Sequence, residues 1–148
     1  MDDYEQYEAD CEKIREANGH LLDQFYEWLK ASGLSSKTIK THYGNIEFYL
    51  NDFLLYEDAT EAQEGVHEIG MFLGYWFIRK AMWASQSSIK SNATSLKKFY
   101  TFMHEKGLVE LDDLTALKNR IKEDMPEWLA TLNRYDDPSL SSEEVWFP

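Results

Sequence analysis

The sequence predicts an all-α fold: a compact bundle of four to five main helices, with an N-terminal helix and a flexible C-terminal tail. Three observations predict it. Apolar residues recur at steps of three and four along most of the chain, most clearly at Ile89, Ala93, Leu96, Tyr100 and Met103, which puts them on one helical stripe. No stretch alternates with period two for long enough to read as a strand. The boundaries are also punctuated: Ser85, Ser87 and Ser88 offer capping hydroxyls before that stripe, and Gly107 offers a left-handed stop after it.

In chain order, residues 2 to 31 read as helix, with Asp2, Asp3 and Glu5 at the positive end of its dipole. Asn18-Gly19 is the expected break, leaving a second helix whose apolar stripe is Leu21, Leu22, Phe25, Trp28 and Leu29; Ser32-Gly33 ends it. Ser35 caps a helix over 36–56, with Ile39, Tyr43, Ile46, Leu50 and Phe53 as its buried line. Gly44 within it predicts close helix packing, and Phe48 and Leu55 on the far side predict a second neighbour. Residues 57–65 form an acidic connection. The segment 66–84 is apolar nearly all round, which predicts a central, buried helix with Trp76 and Trp83 in the core. Ser85 to Gly107 is the organising helix. Beyond it, Leu111, Leu114, Leu117, Ile121 and Met125 hold helical spacing, and Pro126 predicts a restart before Trp128, Leu129 and Leu132. The whole reads as one helical domain over 1–134 followed by an acidic tail, 135–148. The predicted shared core contains Ile39, Ile46, Phe53, Trp76, Leu96 and Tyr100.

The net charge of −12 argues against a generic polyanion binder, but it is unevenly spread. Residues 1–33 carry −6, 57–74 carry −5 and 107–148 carry −6, whereas 75–106 carry +5. Lysine therefore concentrates on the organising helix, beside Ser and Thr, with Lys37 and Lys40 added by the helix from Ser36. These lysines read either as a solvated face over an aromatic core or as a local anion-binding patch. Single Cys11 offers no internal disulfide, and residues 1 to 16 contain no apolar leader; both predict a reducing, cytoplasmic setting. The most apolar run, Met71 to Trp83, is too short for a membrane span and contains Arg79 and Lys80. Four scattered His, no Gly-rich phosphate loop and carboxylate pairs placed at helix starts or in the tail predict no metal, no cofactor and no acid–base site.

The phrases GLSSKTIKTHYGNIEFYLNDFL and SSIKSNATSLKKFYTFMHEKGLVE resemble the N-terminal core-binding domain of tyrosine recombinases (phage integrases). Trp28-Leu29 and Gly33-Leu34-Ser35 match its first phrase. Thr38, Tyr43, Ile46 and Phe53 match the second, and Ser88, Thr94, Leu96, Phe99-Tyr100, Phe102 and Gly107 the third. The resemblance covers about Leu21 to Leu111. It implies a SAM-like orthogonal bundle in which the helices from Ser36 and from Gln86 lie across duplex DNA. The DNA-binding candidates are then Lys37, Lys40, Thr41, Ser87, Lys90, Thr94, Lys97 and Lys98. The family's catalytic groups sit in a separate C-terminal domain. After Gly107 this chain has one Tyr (Tyr135), two Arg (Arg120, Arg134) and no His, so the expected module is non-catalytic. The family domain is usually basic and this one is acidic, so the expected binding is weak. The alternative is an acidic helical interaction module that engages a protein partner through its N-terminal helix or the Trp146-Phe147 tail and regulates a recombinase or another partner without touching DNA.

Overall fold

In the computed structural model, which describes residues 2–136, the chain is all-helical. Helix α1 runs Asp3–Ala31. Asp2 caps it by accepting from the Glu5 N–H at 2.7 Å, and Gly33, at φ +80°, turns the chain out of it. Helix α2 is Ser36–Phe48 continued by a wide π-helical turn, Tyr49–Phe53. A connection with one 3-10 turn, Glu64–His67, leads to α3. That helix (69–80) is Ile69–Met71, a second π turn Phe72–Trp76, and Phe77–Lys80. Helix α4, Gln86–Glu105, opens on a full capping box between Ser85 and Ser88 and closes at Gly107, also at φ +80°. Helix α5 is Leu111–Asp136. The N-terminal helix and four further helices make up the bundle, as expected.

Helix α4 is the middle of the bundle and packs on α2 and α5. Ile89, Ala93, Leu96, Phe99, Tyr100 and Met103 are all buried on it, the stripe that the 3–4 spacing predicts. Ile39, Ile46, Leu96 and Tyr100 are core residues as expected, but Phe53 and Trp76 are only half-buried against the core. The two π turns explain this. They bring an aromatic cluster together, with Tyr49 4.8 Å and Phe53 5.0 Å from Phe72, and they swing Phe53 and Trp76 toward the rim. Below them, buried Tyr49 donates its hydroxyl to Gly65 O (2.7 Å) and Tyr100 to Ala62 O (2.8 Å). Two otherwise costly buried hydroxyls thereby anchor the 57–68 connection. Burial pushes both phenol pKa values well above their ordinary range.

Several expectations are corrected. Helix α1 does not break at Asn18-Gly19: Asn18 is buried and its amide donates to Asn51 Oδ1 at 2.9 Å, so a contact with α2 holds the helix through this point. Pro126 lies inside α5 rather than starting a new helix, because Trp128 and Leu132 remain buried on the same line as Leu117 and Ile121. Gly44 is exposed, with no neighbour near its Cα; the close approaches are Gly70 under Arg120 and Gly74 under Trp128, which seat α5 on α3. Helix α3 is not buried all round. Met71 and Tyr75 are exposed, and Met82 (99% exposed) and Trp83 lie in the turn beyond it. Leu111 is exposed as well. Tyr135 and Asp136 belong to α5 and not to a tail; Tyr135 is half-buried, with Arg79 5.8 Å from its ring centre. The expectations for 137–148, including Trp146-Phe147, lie outside the described residues. Phe48 finds the second neighbour expected of it, meeting Phe72, Trp76 and Phe77 of α3 as well as Trp83. Among the described residues no helix is long and apolar enough to cross a membrane.

Candidate nucleic-acid interface

The two lysine-bearing helices pack side by side and antiparallel through a polar seam. Asn45 Nδ2 donates to Ser91 Oγ (3.1 Å) and to Ser95 Oγ (2.9 Å), and His42 Nδ1 lies 2.7 Å from Ser95 Oγ. Ser95 Oγ in turn reaches Ser91 O at 3.1 Å. One arrangement of protons satisfies all of these contacts: Ser95 donates to Ser91 O and accepts from both Asn45 and a neutral His42 protonated at Nδ1. His42 and Ser95 are buried, so the neutral ring is favoured; burial, and then the charge of Lys98, lower its pKa below the ordinary value.

The seam fixes where each candidate stands. Lys37, Thr41 and Asn45 follow one another at i+4 on α2, so Lys37 and Thr41 border the seam. On α4, Ser87 is four residues before Ser91, Thr94 three after it and Lys98 three after Ser95, so these three border the seam from the other side. Lys40 lies one row outward on α2, and Lys90 and Lys97 one row outward on α4. The eight candidates thus form a central strip, Lys37, Thr41, Ser87, Thr94 and Lys98, with Lys40 on one flank and Lys90 and Lys97 on the other. Lys37, Lys40, Thr41, Ser87, Lys90 and Thr94 are exposed, and Lys97 and Lys98 are half-buried.

None of the five lysines is ion-paired with a described carboxylate. The Thr41 and Thr94 hydroxyls donate back to the carbonyls of Lys37 and Lys90, both at 3.1 Å, leaving their oxygens free to accept and the lysines as the donors toward any anion. One end of the strip is less favourable. There a cavity of about 320 Å³, lined by Gly44, Phe48, Trp83 and Asn92, also takes in Glu47 and Asp52, whose charge opposes phosphate. Arg79 and Lys80 stand apart from the strip: the Arg79 guanidinium stacks 3.9 Å from the Tyr75 ring centre, and Lys80 Nζ bonds the Tyr56 hydroxyl at 3.2 Å.

Sequence reasoning missed the seam itself, because Asn45, Ser91 and Ser95 read as ordinary polar positions. One signal was present. Ile39-Lys40-Thr41-His42 and Ile89-Lys90-Ser91-Asn92 repeat one pattern at an offset of fifty residues, and these segments belong to the two helices that pair. Among the described residues no group of His, Cys, Asp or Glu could hold a metal ion. Compared with family models, curated proteins and solved structures, the chain matches none.

Proposed function

We propose that this chain is a non-catalytic DNA-binding module of the recombinase core-binding type, which holds duplex DNA through phosphate contacts along α2 and α4. The observation that carries the reading is the polar seam. It brings side by side two helices that together carry five lysines with no described ion pair. The resemblance of the same two helices to the DNA-facing pair of core-binding domains supports it from the sequence, and suggests a setting in DNA integration or recombination in the cytoplasm. Lysine is a point charge with little base preference, so the contacts position the duplex without reading it. The acidic remainder of the chain opposes association, which puts the affinity in the micromolar range of non-specific binding or weaker. Strand cleavage is not part of this role. Tyr135 is half-buried on α5, with the Arg79 guanidinium 5.8 Å from its ring centre.

A titration of labelled duplex at low ionic strength tests the reading. With about four phosphates neutralised, log K should fall against log salt with a slope of about −3.6. That corresponds to a loss of roughly a hundredfold between about 50 and 200 mM salt. No binding at low salt contradicts the reading.

A further inference from the structure

The acidic side of the molecule holds a groove of different chemistry. The connection after α2 and the outer side of α3 enclose about 530 Å³. The wall is aromatic: Phe53, Tyr56, Tyr75 and Trp76, with Met71 beside them. Trp76 is central, with Phe53 at 5.3 Å and Tyr56 at 5.6 Å, both edge to face. Tyr56, Met71 and Tyr75 remain 53%, 54% and 41% exposed, an unusual share of large apolar surface for one small region. The two π turns build this wall, since Phe53 ends one and Tyr75-Trp76 end the other.

The rim is anionic. Glu57, Asp58 and Glu68 line the groove, and none is ion-paired with a described residue. The 57–68 connection contains five acids and no Lys or Arg. Tyr7 extends the acidic surface: its hydroxyl donates to Leu55 O and lies 3.3 Å from Tyr56 O, which draws the acidic N-terminal turns of α1 against the same connection. Aromatic faces beside carboxylates favour a cation. An anion would be repelled, and an apolar helix would strip water from three carboxylates without compensation. These rings already attract the chain's own cations, with Arg79 3.9 Å from the Tyr75 centroid and Lys80 5.2 Å from that of Tyr56. Neither cation lines the groove itself.

We propose that this groove docks a basic segment of a protein partner, seating an arginine against the Tyr56–Trp76 wall with its charge met by Glu57, Asp58 and Glu68. Arginine suits the site better than lysine, because a planar guanidinium stacks on a ring and pairs with a carboxylate in the same pose. The acids of α1 steer such a segment toward the groove. This surface is separate from the lysine strip and does not depend on DNA binding.

The test titrates the full chain with a blocked Arg-Gly-Ser repeat peptide, followed by calorimetry and Trp fluorescence. Saturable binding is expected, and the same peptide with citrulline for arginine should not bind. Glu57→Gln with Glu68→Gln should weaken binding at least about tenfold and Tyr56→Ala by about three- to tenfold. Glu123→Gln with Glu127→Gln, an equal charge change at exposed positions of α5 outside the groove, should leave the affinity within about twofold. Absence of saturable binding, equal binding of the citrulline peptide, or equal weakening by the α5 pair overturns the proposal. The citrulline comparison uses the unaltered chain, so it decides the matter even if a groove variant folds poorly.

Discussion

His42 and Ser95 meet across the α2–α4 seam, Nδ1 to Oγ at 2.7 Å, and both side chains are buried. A buried polar pair of this kind stabilises only as long as every member keeps a partner. Ser95→Ala removes the common acceptor of His42 and Asn45. It should lower stability by about 1–3 kcal/mol, read as a shift in the urea midpoint with an unchanged slope. A cost near zero would mean that the seam does not hold the two helices together.

The same pair makes stability depend on pH. Burial and the charge of Lys98 lower the His42 pKa from its ordinary 6.5. The unfolded chain therefore binds a proton at this ring more readily than the folded chain does. The contribution is fully present above the unfolded value and is lost as pH falls through the folded one. Between about pH 7 and 5, above the range where ordinary carboxylates titrate, stability should fall with pH, and His42→Asn should flatten that slope. Identical slopes in the two proteins would exclude the ring as the source.

Core and surface apolar residues should separate sharply. Leu96, 1% exposed in the middle of α4, should cost about 2–5 kcal/mol when cut to Ala. Met82, 99% exposed, should cost within about 0.5 kcal/mol. Urea unfolding of the two variants checks the pair, and a comparable loss at Met82 would contradict the placement of the turn after α3.

The helices were legible in the sequence because their signals are local. The 3–4 spacing from Ile89 to Met103, the Ser85 cap and Gly107 specify α4 without reference to the rest of the chain. What was not legible depends on contacts between distant residues. Asn18-Gly19 carries a breaker signal, yet the Asn18–Asn51 bond keeps α1 whole. Pro126 costs its helix a hydrogen bond, and Trp128 packing over Gly74 offsets that cost. The π turns leave no mark in apolar periodicity, so Phe53 and Trp76 were placed too deep. The lysines of the candidate site could be named from the sequence, but their division into a strip and two flanks required the register set by His42, Asn45, Ser91 and Ser95.

A covalent intermediate should not form. If the module is non-catalytic as proposed, incubation with supercoiled DNA or a suicide duplex should leave no protein–DNA adduct in a denaturing gel. A phosphotyrosine linkage at Tyr135 would overturn the non-catalytic assignment.

The most direct test of the central claim compares two charge reversals of equal size in one low-salt titration with labelled duplex. Lys37→Glu with Lys90→Glu changes one exposed lysine on each helix of the candidate face. Lys118→Glu with Lys122→Glu makes the same change on exposed positions of α5. If α2 and α4 hold the phosphates, the first pair weakens binding sharply and reduces the salt slope by about two phosphate contacts' worth, near 1.8. The second pair should weaken binding only slightly, through net charge. Equal effects of the two pairs, or wild-type binding retained by the first, would contradict the claim that this face is the DNA interface.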